Sequence, residues 1–229
     1  MSKLRQTLYS EFIAGRTAFD WCFLAAGLLL QVVVFCLSPS EPIVIVSGLA
    51  GIVNVVLSAQ GKISSYFFGF IQVVTYLIIC YDQRLYAEVG LNMFYLITIF
   101  AGVYAWRRRY RVNETTGSAE LHTRQLSPWL WTSVIIIVTL LSALSGWLLV
   151  NYTNDSDPYL DAFTTVPAVA AQMLLIFGYR EQWFIWFIID LGCIWLWIRA
   201  GNWSMAALYA FWCLNCLRGL HHWTKMAKQ

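Results

Sequence analysis

The sequence predicts an all-α polytopic membrane protein with eight transmembrane helices: an N-terminal helix, then two helix triplets flanking a linker helix. Three observations carry this reading. The composition is 59% hydrophobic and 12% charged, with a mean hydropathy of +0.62, outside the range of a soluble globular domain. Nearly uncharged apolar runs recur along the chain, each close to the ~20 residues that cross a ~30 Å hydrocarbon core at ~1.5 Å per helical residue. Finally, residues 61–106 overlay residues 178–223 without a gap, at a constant offset of 117. Gly61 then meets Gly178, Phe67 meets Phe184, Phe70 meets Phe187, Ile71 meets Ile188, Phe94 meets Phe211, Gly102 meets Gly219 and Trp106 meets Trp223. Duplicated helix triplets in a membrane chain point to a transporter with its site between the halves.

Residues 1–18 are polar and basic and read as a cytoplasmic N-terminal segment. The first span, 19–37, has no counterpart in the repeat. It is not a signal peptide, because Ser38-Pro39-Ser40-Glu41 offers no small-x-small cleavage site. The first triplet, 43–106, contains spans at 43–59, 65–81 and 85–106. Residues 107–128 form a basic, then polar, cytoplasmic loop. A linker helix at 129–150 brings the chain back to its starting side, which makes the triplets parallel repeats about an axis along the membrane normal. The second triplet, 160–223, has spans at 160–177, 183–199 and 203–220, followed by a cytoplasmic tail at 224–229.

Basic residues set the orientation. With both termini inside, Arg84 and Arg199 alone of the 15 lysines and arginines lie outside. The net charge of +3 therefore reports topology, and nothing in it suggests nucleic acid. The chain lacks a Gly-x4-Gly-Lys-Ser/Thr loop, paired transmembrane histidines and a mid-span lysine. ATPase, haem and retinal chemistry are thereby excluded, and the expectation is no enzyme, no metal and no cofactor. The six cysteines lie in or at the ends of spans, where the ordinary role is a small buried apolar residue.

Polar side chains inside spans are the informative ones, because a charge within the bilayer is expensive. Asp190 lies near the middle of its span. Trp183, Trp186 and Asp190 are spaced i, i+3, i+7 and share a helix face. A carboxylate between aromatic faces suits a flat cationic or protonatable ligand. The competing reading is a neutral Asp190 bonded to a neighbouring helix. A second cluster is Asn92, Tyr95 and Thr98, whose partners at the repeat offset are Tyr209, Trp212 and Asn215. Gln72 and Tyr76 lie opposite the Asp190 segment in the repeat. Interhelical hydrogen bonding is the competing role for these groups. Gln172, Asn54 and Glu88 are secondary candidates.

Several stretches in order carry a resemblance. These are Lys62-Ile-Ser-Ser-Tyr66-Phe-Phe-Gly69, Asn92-x2-Tyr95 followed by Gly102-x-Tyr104-x-Trp106, Asp161-Ala-Phe-Thr-Thr165, and Glu181-Gln-Trp183-x2-Trp186. Together they resemble the PnuC-type bacterial vitamin transporters over nearly all of the chain after the first span. The resemblance implies a three-plus-one-plus-three arrangement like that of the SWEET sugar transporters, with an added N-terminal helix. It implies facilitated diffusion of an unphosphorylated vitamin across the bacterial inner membrane, trapped by a separate cytoplasmic kinase. It also implies a homotrimer and a substrate site that includes Trp183 and Trp186.

Two departures bear on the substrate. Nicotinamide riboside members carry Asn where this chain has Asp190, and an amide side chain where it has Ile99. Nicotinamide presents a carboxamide, for which an amide is the natural partner, whereas thiamine has a cationic thiazolium and an aminopyrimidine that pairs with a carboxylate. The leading expectation is thus a thiamine facilitator with Trp183, Trp186, Asp190, Gln72, Tyr76, Asn92, Tyr95, Thr98 and Asn215 at its site. Nicotinamide riboside is the alternative, and a proton-coupled vitamin symporter the second.

Overall fold

The structure is a computed structural model describing residues 11, 13, 16–39, 41–84, 86–112, 119–153 and 157–228. Most of the N-terminal segment, the polar stretch 113–118 and Asp155 lie outside the described residues. Eight helices follow in order: α1 (Ala18–Leu37), α2 (Pro42–Ala59), α3 (Ser65–Asp82), α4 (Tyr86–Arg107), α5 (Pro128–Tyr152), α6 (Pro158–Ile176), α7 (Gln182–Arg199) and α8 (Trp203–Met226). Local chemistry sets their starts. Thr17 and Asp20 form a reciprocal capping box at α1. Ser127 caps α5 and Asn202 caps α8, each accepting from a first-turn N–H that has no helical partner. Pro42, Pro128 and Pro158 open α2, α5 and α6, where a missing N–H costs nothing.

Among the described residues, seven helices, α1 to α7, are long and apolar enough to cross a membrane. α8 falls short on hydropathy because even its most apolar stretch carries Asn215 and Arg218, with His221, His222 and Lys225 following to Met226. The connector 107–128 is not wholly irregular, contrary to the plain loop expected there. Tyr110–Val112 (β1) and Ala119–Leu121 (β2) pair antiparallel, with Tyr110 opposite Leu121.

Six helices form a ring by sequential packing: α2 on α3, α3 on α4, α4 on α6, α6 on α7, α7 on α8, and α8 back on α2. Helix α1 lies outside against α2 and α8, and α5 outside against α6. α1 is fastened by a buried ion pair between Asp20 and Arg218, with the guanidinium also over Phe23. α5 exposes Ile135, Ile136, Ile137, Leu140 and Leu144, an apolar surface fit for lipid.

Contacts within the ring recur at the offset of 117. Gly61 and Gly178 both take positive φ, +66° and +69°, a conformation that costs a residue with a Cβ. Each ends a helix, and the backbone bonds Lys62 N to Leu57 O and Tyr179 N to Leu174 O close equivalent turns at 3.0 and 2.9 Å. The indole of Trp106 donates to Leu175 O at 3.0 Å, and that of Trp223 to Ser58 O at 3.1 Å. Both bonds cross from one triplet to the other. Beside them, a Cβ at Gly102 would come within 2.4 Å of the Tyr66 ring, and one at Gly219 within 2.5 Å of the Trp183 ring. The four aromatics interlock, Tyr66–Trp106 at 4.9 Å, Trp106–Trp223 at 5.7 Å and Trp183–Trp223 at 5.8 Å, all near edge-to-face.

Arg107–Arg109, Arg180 and Lys225 follow or precede the tryptophans of this aromatic plug by a few residues, which makes this the basic end of the ring. Desolvation by burial lowers the pKa of Arg109 beside it. The connector fastens to the same turn in both triplets. Tyr110 donates its hydroxyl to Gly61 O at 2.6 Å, and Arg124 N donates to Gly178 O at 2.7 Å. Thr123, fully buried, donates to Trp223 O at 2.7 Å.

Candidate substrate-binding site

A cavity of ≈450 Å³ lies inside the ring, bordered by residues of all six ring helices. At the basic end it stops at buried Ser58, Tyr66, Gln182 and Trp183. Toward the other end its wall includes Tyr76, Glu88, Leu160, Asp161 and Trp197, of which Tyr76 and Asp161 are exposed.

Eight of the nine residues expected at the site border this cavity: Trp183, Trp186, Asp190, Gln72, Tyr76, Asn92, Tyr95 and Asn215. The i, i+3, i+7 spacing does place both indoles and the carboxylate along one wall. The indoles differ in availability. Trp183 is wedged over Gly219 and against Trp223, so much of it belongs to the plug. Trp186 is half-buried and is the larger aromatic surface open to a ligand. Asp190 is 6% exposed and accepts from the Cys216 thiol at 3.5 Å. Among the described residues no basic side chain pairs with it.

The amides are held but not saturated. Asn54 Nδ2 donates to Gln72 Oε1 at 3.1 Å. Asn215 Nδ2 donates to Val55 O at 3.0 Å, while its Oδ1 has no partner. Asn92 donates back to Glu88 O at 2.8 Å. Leaving a buried polar atom unpaired costs about 1–3 kcal/mol, so such atoms on a cavity wall suit a ligand that pairs with them.

Thr98 departs from expectation. Tyr95 and Ile99 face the cavity, but Thr98 is one helical step round and meets α6 instead. It donates to Tyr95 O at 2.9 Å and accepts from Gln172 Nε2 at 3.0 Å. Its partner at the repeat offset, Asn215, makes the equivalent reach across to α2. Gln172 itself borders the cavity, so α6 brings an amide beside the position where Ile99 lacks one. Gln182 is a further cavity residue that sequence periodicity does not single out. It is fully buried and neither Nε2 nor Oε1 has a partner. Its one signal in the sequence is adjacency to Trp183.

Three carboxylic side chains border the cavity, those of Glu88, Asp161 and Asp190, and among the described residues no Lys, Arg or His does. Nor, among them, is there a group of three or more His, Cys, Asp or Glu that could hold a metal.

The profile of the nicotinamide mononucleotide transporter family, to which the PnuC proteins belong, matches residues 41–225. The chain belongs to this family. PnuC-family relatives align over almost its whole length. The nicotinamide riboside transporter PnuC of Haemophilus influenzae is 31% identical over 227 residues, 99% of this chain and 98% of the relative. That of Neisseria mucosa is 33% identical, over 96% of this chain and 86% of the relative. The crystal structure of the vitamin B3 transporter PnuC superposes with a TM-score of 0.83 at 31% identity, covering 97% of both chains. Membership of the PnuC family makes this a multi-pass membrane transporter and not an enzyme.

Proposed function

We propose that this protein takes up nicotinamide riboside across the bacterial inner membrane by facilitated diffusion, with its basic end and both termini in the cytoplasm. The observation that carries the reading is the cavity between the two triplets, with Trp186 on one wall, three carboxylic groups and, among the described residues, no basic side chain. A pyridinium ring fits such a wall by stacking and cation–π attraction. The same lining is hostile to the phosphate of a mononucleotide, which would be desolvated beside carboxylates with no cation to meet it. The riboside is therefore favoured over its phosphate ester, and a cytoplasmic kinase acting on the riboside would keep it from returning.

Nicotinamide riboside displaces thiamine as the leading substrate. The relatives named for their substrate carry nicotinamide riboside, and the amide missing at Ile99 is offered by Gln172 from another helix. The contacts recurring at the offset of 117 support parallel triplets in the SWEET manner, with α8 as an eighth span whose basic turns reach the cytoplasmic surface. Alternating access would then rock one triplet against the other about the plug. The described state fits closure at the cytoplasmic end. A homotrimer is part of the same proposal.

The deciding experiment is a titration of purified protein, followed by tryptophan fluorescence, with nicotinamide riboside, thiamine and nicotinamide mononucleotide in parallel. Quenching by the riboside alone is expected. Quenching by thiamine alone would overturn the substrate. Uptake into liposomes holding a riboside kinase should proceed without a proton gradient, and uptake that needs the gradient would make the protein a symporter. Asp190→Asn keeps the shape and the hydrogen bonding but loses the charge. Its affinity for the riboside should drop about tenfold, roughly 1.4 kcal/mol. Unchanged binding would mean Asp190 is not the charge partner.

A further inference from the structure

Among the described residues, six carboxamide side chains border the cavity, and five of them give one end to the protein. Asn54 Nδ2 donates to Gln72 Oε1, Asn92 Nδ2 to Glu88 O, Gln172 Nε2 to Thr98 Oγ1 and Asn215 Nδ2 to Val55 O. Gln182 gives neither end. It is fully buried, and Nε2 and Oε1 both lack a partner. Burying an unpaired amide is costly, so packing alone would favour an apolar residue at this position. Two further buried atoms at the same end of the cavity, the Tyr66 hydroxyl and the Trp183 Nε1, are also without partners.

Gln182 opens α7. Gln182, Trp186 and Asp190 are spaced i, i+4, i+8, which keeps them on one side of the helix with about 6 Å of rise per step. All three border the cavity. Going away from the plug, α7 therefore offers a free amide, then an indole face, then a carboxylate. Each complements one part of nicotinamide riboside. A primary carboxamide carries an acceptor and a donor side by side in one plane, as Gln182 does, and two such groups pair through two hydrogen bonds. The pyridinium stacks on Trp186. A carboxylate only accepts, which suits the ribose hydroxyls beyond the ring.

We infer that Gln182 reads the carboxamide in a subsite at the plug end, so that the riboside lies along α7 with its carboxamide toward the plug and its ribose away from it. The inference rests on the nicotinamide riboside reading. The subsite acts on specificity. A pocket built to hydrogen-bond a substrate group rejects the analogue that lacks the group, because its own polar atoms stay unpaired. Trp186 and Asp190 would accept many flat cations; Gln182 adds the demand for an amide.

The test compares nicotinamide riboside with the ribosylpyridinium that lacks the carboxamide, by calorimetry on wild type and Gln182→Met. Methionine keeps the length of the side chain and removes its amide. Wild type should bind the riboside about 30-fold more tightly than the analogue, the worth of two ordinary hydrogen bonds. Gln182→Met should erase that preference, weakening the riboside about 30-fold and leaving the analogue within about twofold, which also reports an intact fold. Its ligand-free melting temperature should equal or exceed that of wild type, since an unpaired amide leaves the interior. Equal losses for both ligands, or a lower melting temperature, would give Gln182 a structural role and overturn the subsite. Orientation is read on wild type with two more ligands. Methylating the carboxamide nitrogen should weaken binding more than methylating the 5′-hydroxyl, and the reverse order would turn the riboside end for end and overturn the assignment. A wild type that binds riboside and analogue alike would overturn the subsite alone, whereas one that binds neither would overturn the substrate reading itself.

Discussion

Trp223→Ala should lower stability by about 3 kcal/mol, the low end of the range for truncating a buried aromatic residue. Helix association in lipid gains from packing and hydrogen bonds more than from expulsion of water, so the lower figure is the better expectation. Trp223 is fully buried, contacts Trp106 and Trp183 edge-to-face, and donates to Ser58 O. Truncation removes the packing and the indole donor, while Ser58 O keeps its bond from Gly61 N at 2.9 Å. Trp223→Phe separates the two effects, since it retains a ring and deletes the donor; about 0.5–1.5 kcal/mol should be lost, the net value of one hydrogen bond. Thermal unfolding in detergent, with and without nicotinamide riboside, measures both. A Phe variant as stable as wild type would mean that the cross-triplet hydrogen bond contributes little and shape alone closes the basic end.

Trp186→Ala should weaken nicotinamide riboside binding by about 1–3 kcal/mol, the value of stacking one flat base on an aromatic face, or roughly 5- to 150-fold in Kd. Stability should change little by comparison, because Trp186 is only half-buried. Trp186→Phe keeps a smaller face and should recover part of the affinity. Calorimetry avoids the loss of the fluorophore itself. If alanine at 186 leaves the affinity intact while Trp183→Ala abolishes it, the ligand stacks nearer the plug than the cavity wall indicates.

Much of the architecture was legible because it depends on local pattern. Apolar runs mark α1 to α7 through length and hydropathy, and the turns at Gly61 and Gly178 announce themselves because a glycine is needed at both. The face shared by Trp183, Trp186 and Asp190 follows from helical periodicity within one element, and all three border the cavity. What was not legible depends on how helices are rotated against each other. Thr98 is three residues from Tyr95 and reads as its neighbour on one face, yet packing turns it to α6. Gln172 reaches Thr98 and the cavity only because α6 packs on α4. Gln182 opens a helix beside a turn, where sequence gives no hint of full burial. The expectation of thiamine weighed two positions, Asp190 and Ile99, in isolation, whereas Gln172 of a neighbouring helix also borders the cavity.

The reciprocal grip at the basic end bears on leakage. If transport is by facilitated diffusion, as proposed, no energy input forbids a state open at both ends; only the shape of the landscape can. Trp106 holds the second triplet while Trp223 holds the first, and the two rings also lean on each other. Releasing either hold disturbs the ring that makes the other, which penalises intermediates with one side loosened. Opening at this end would then have to break both holds together, and a leak of small ions through a half-opened plug would be rare.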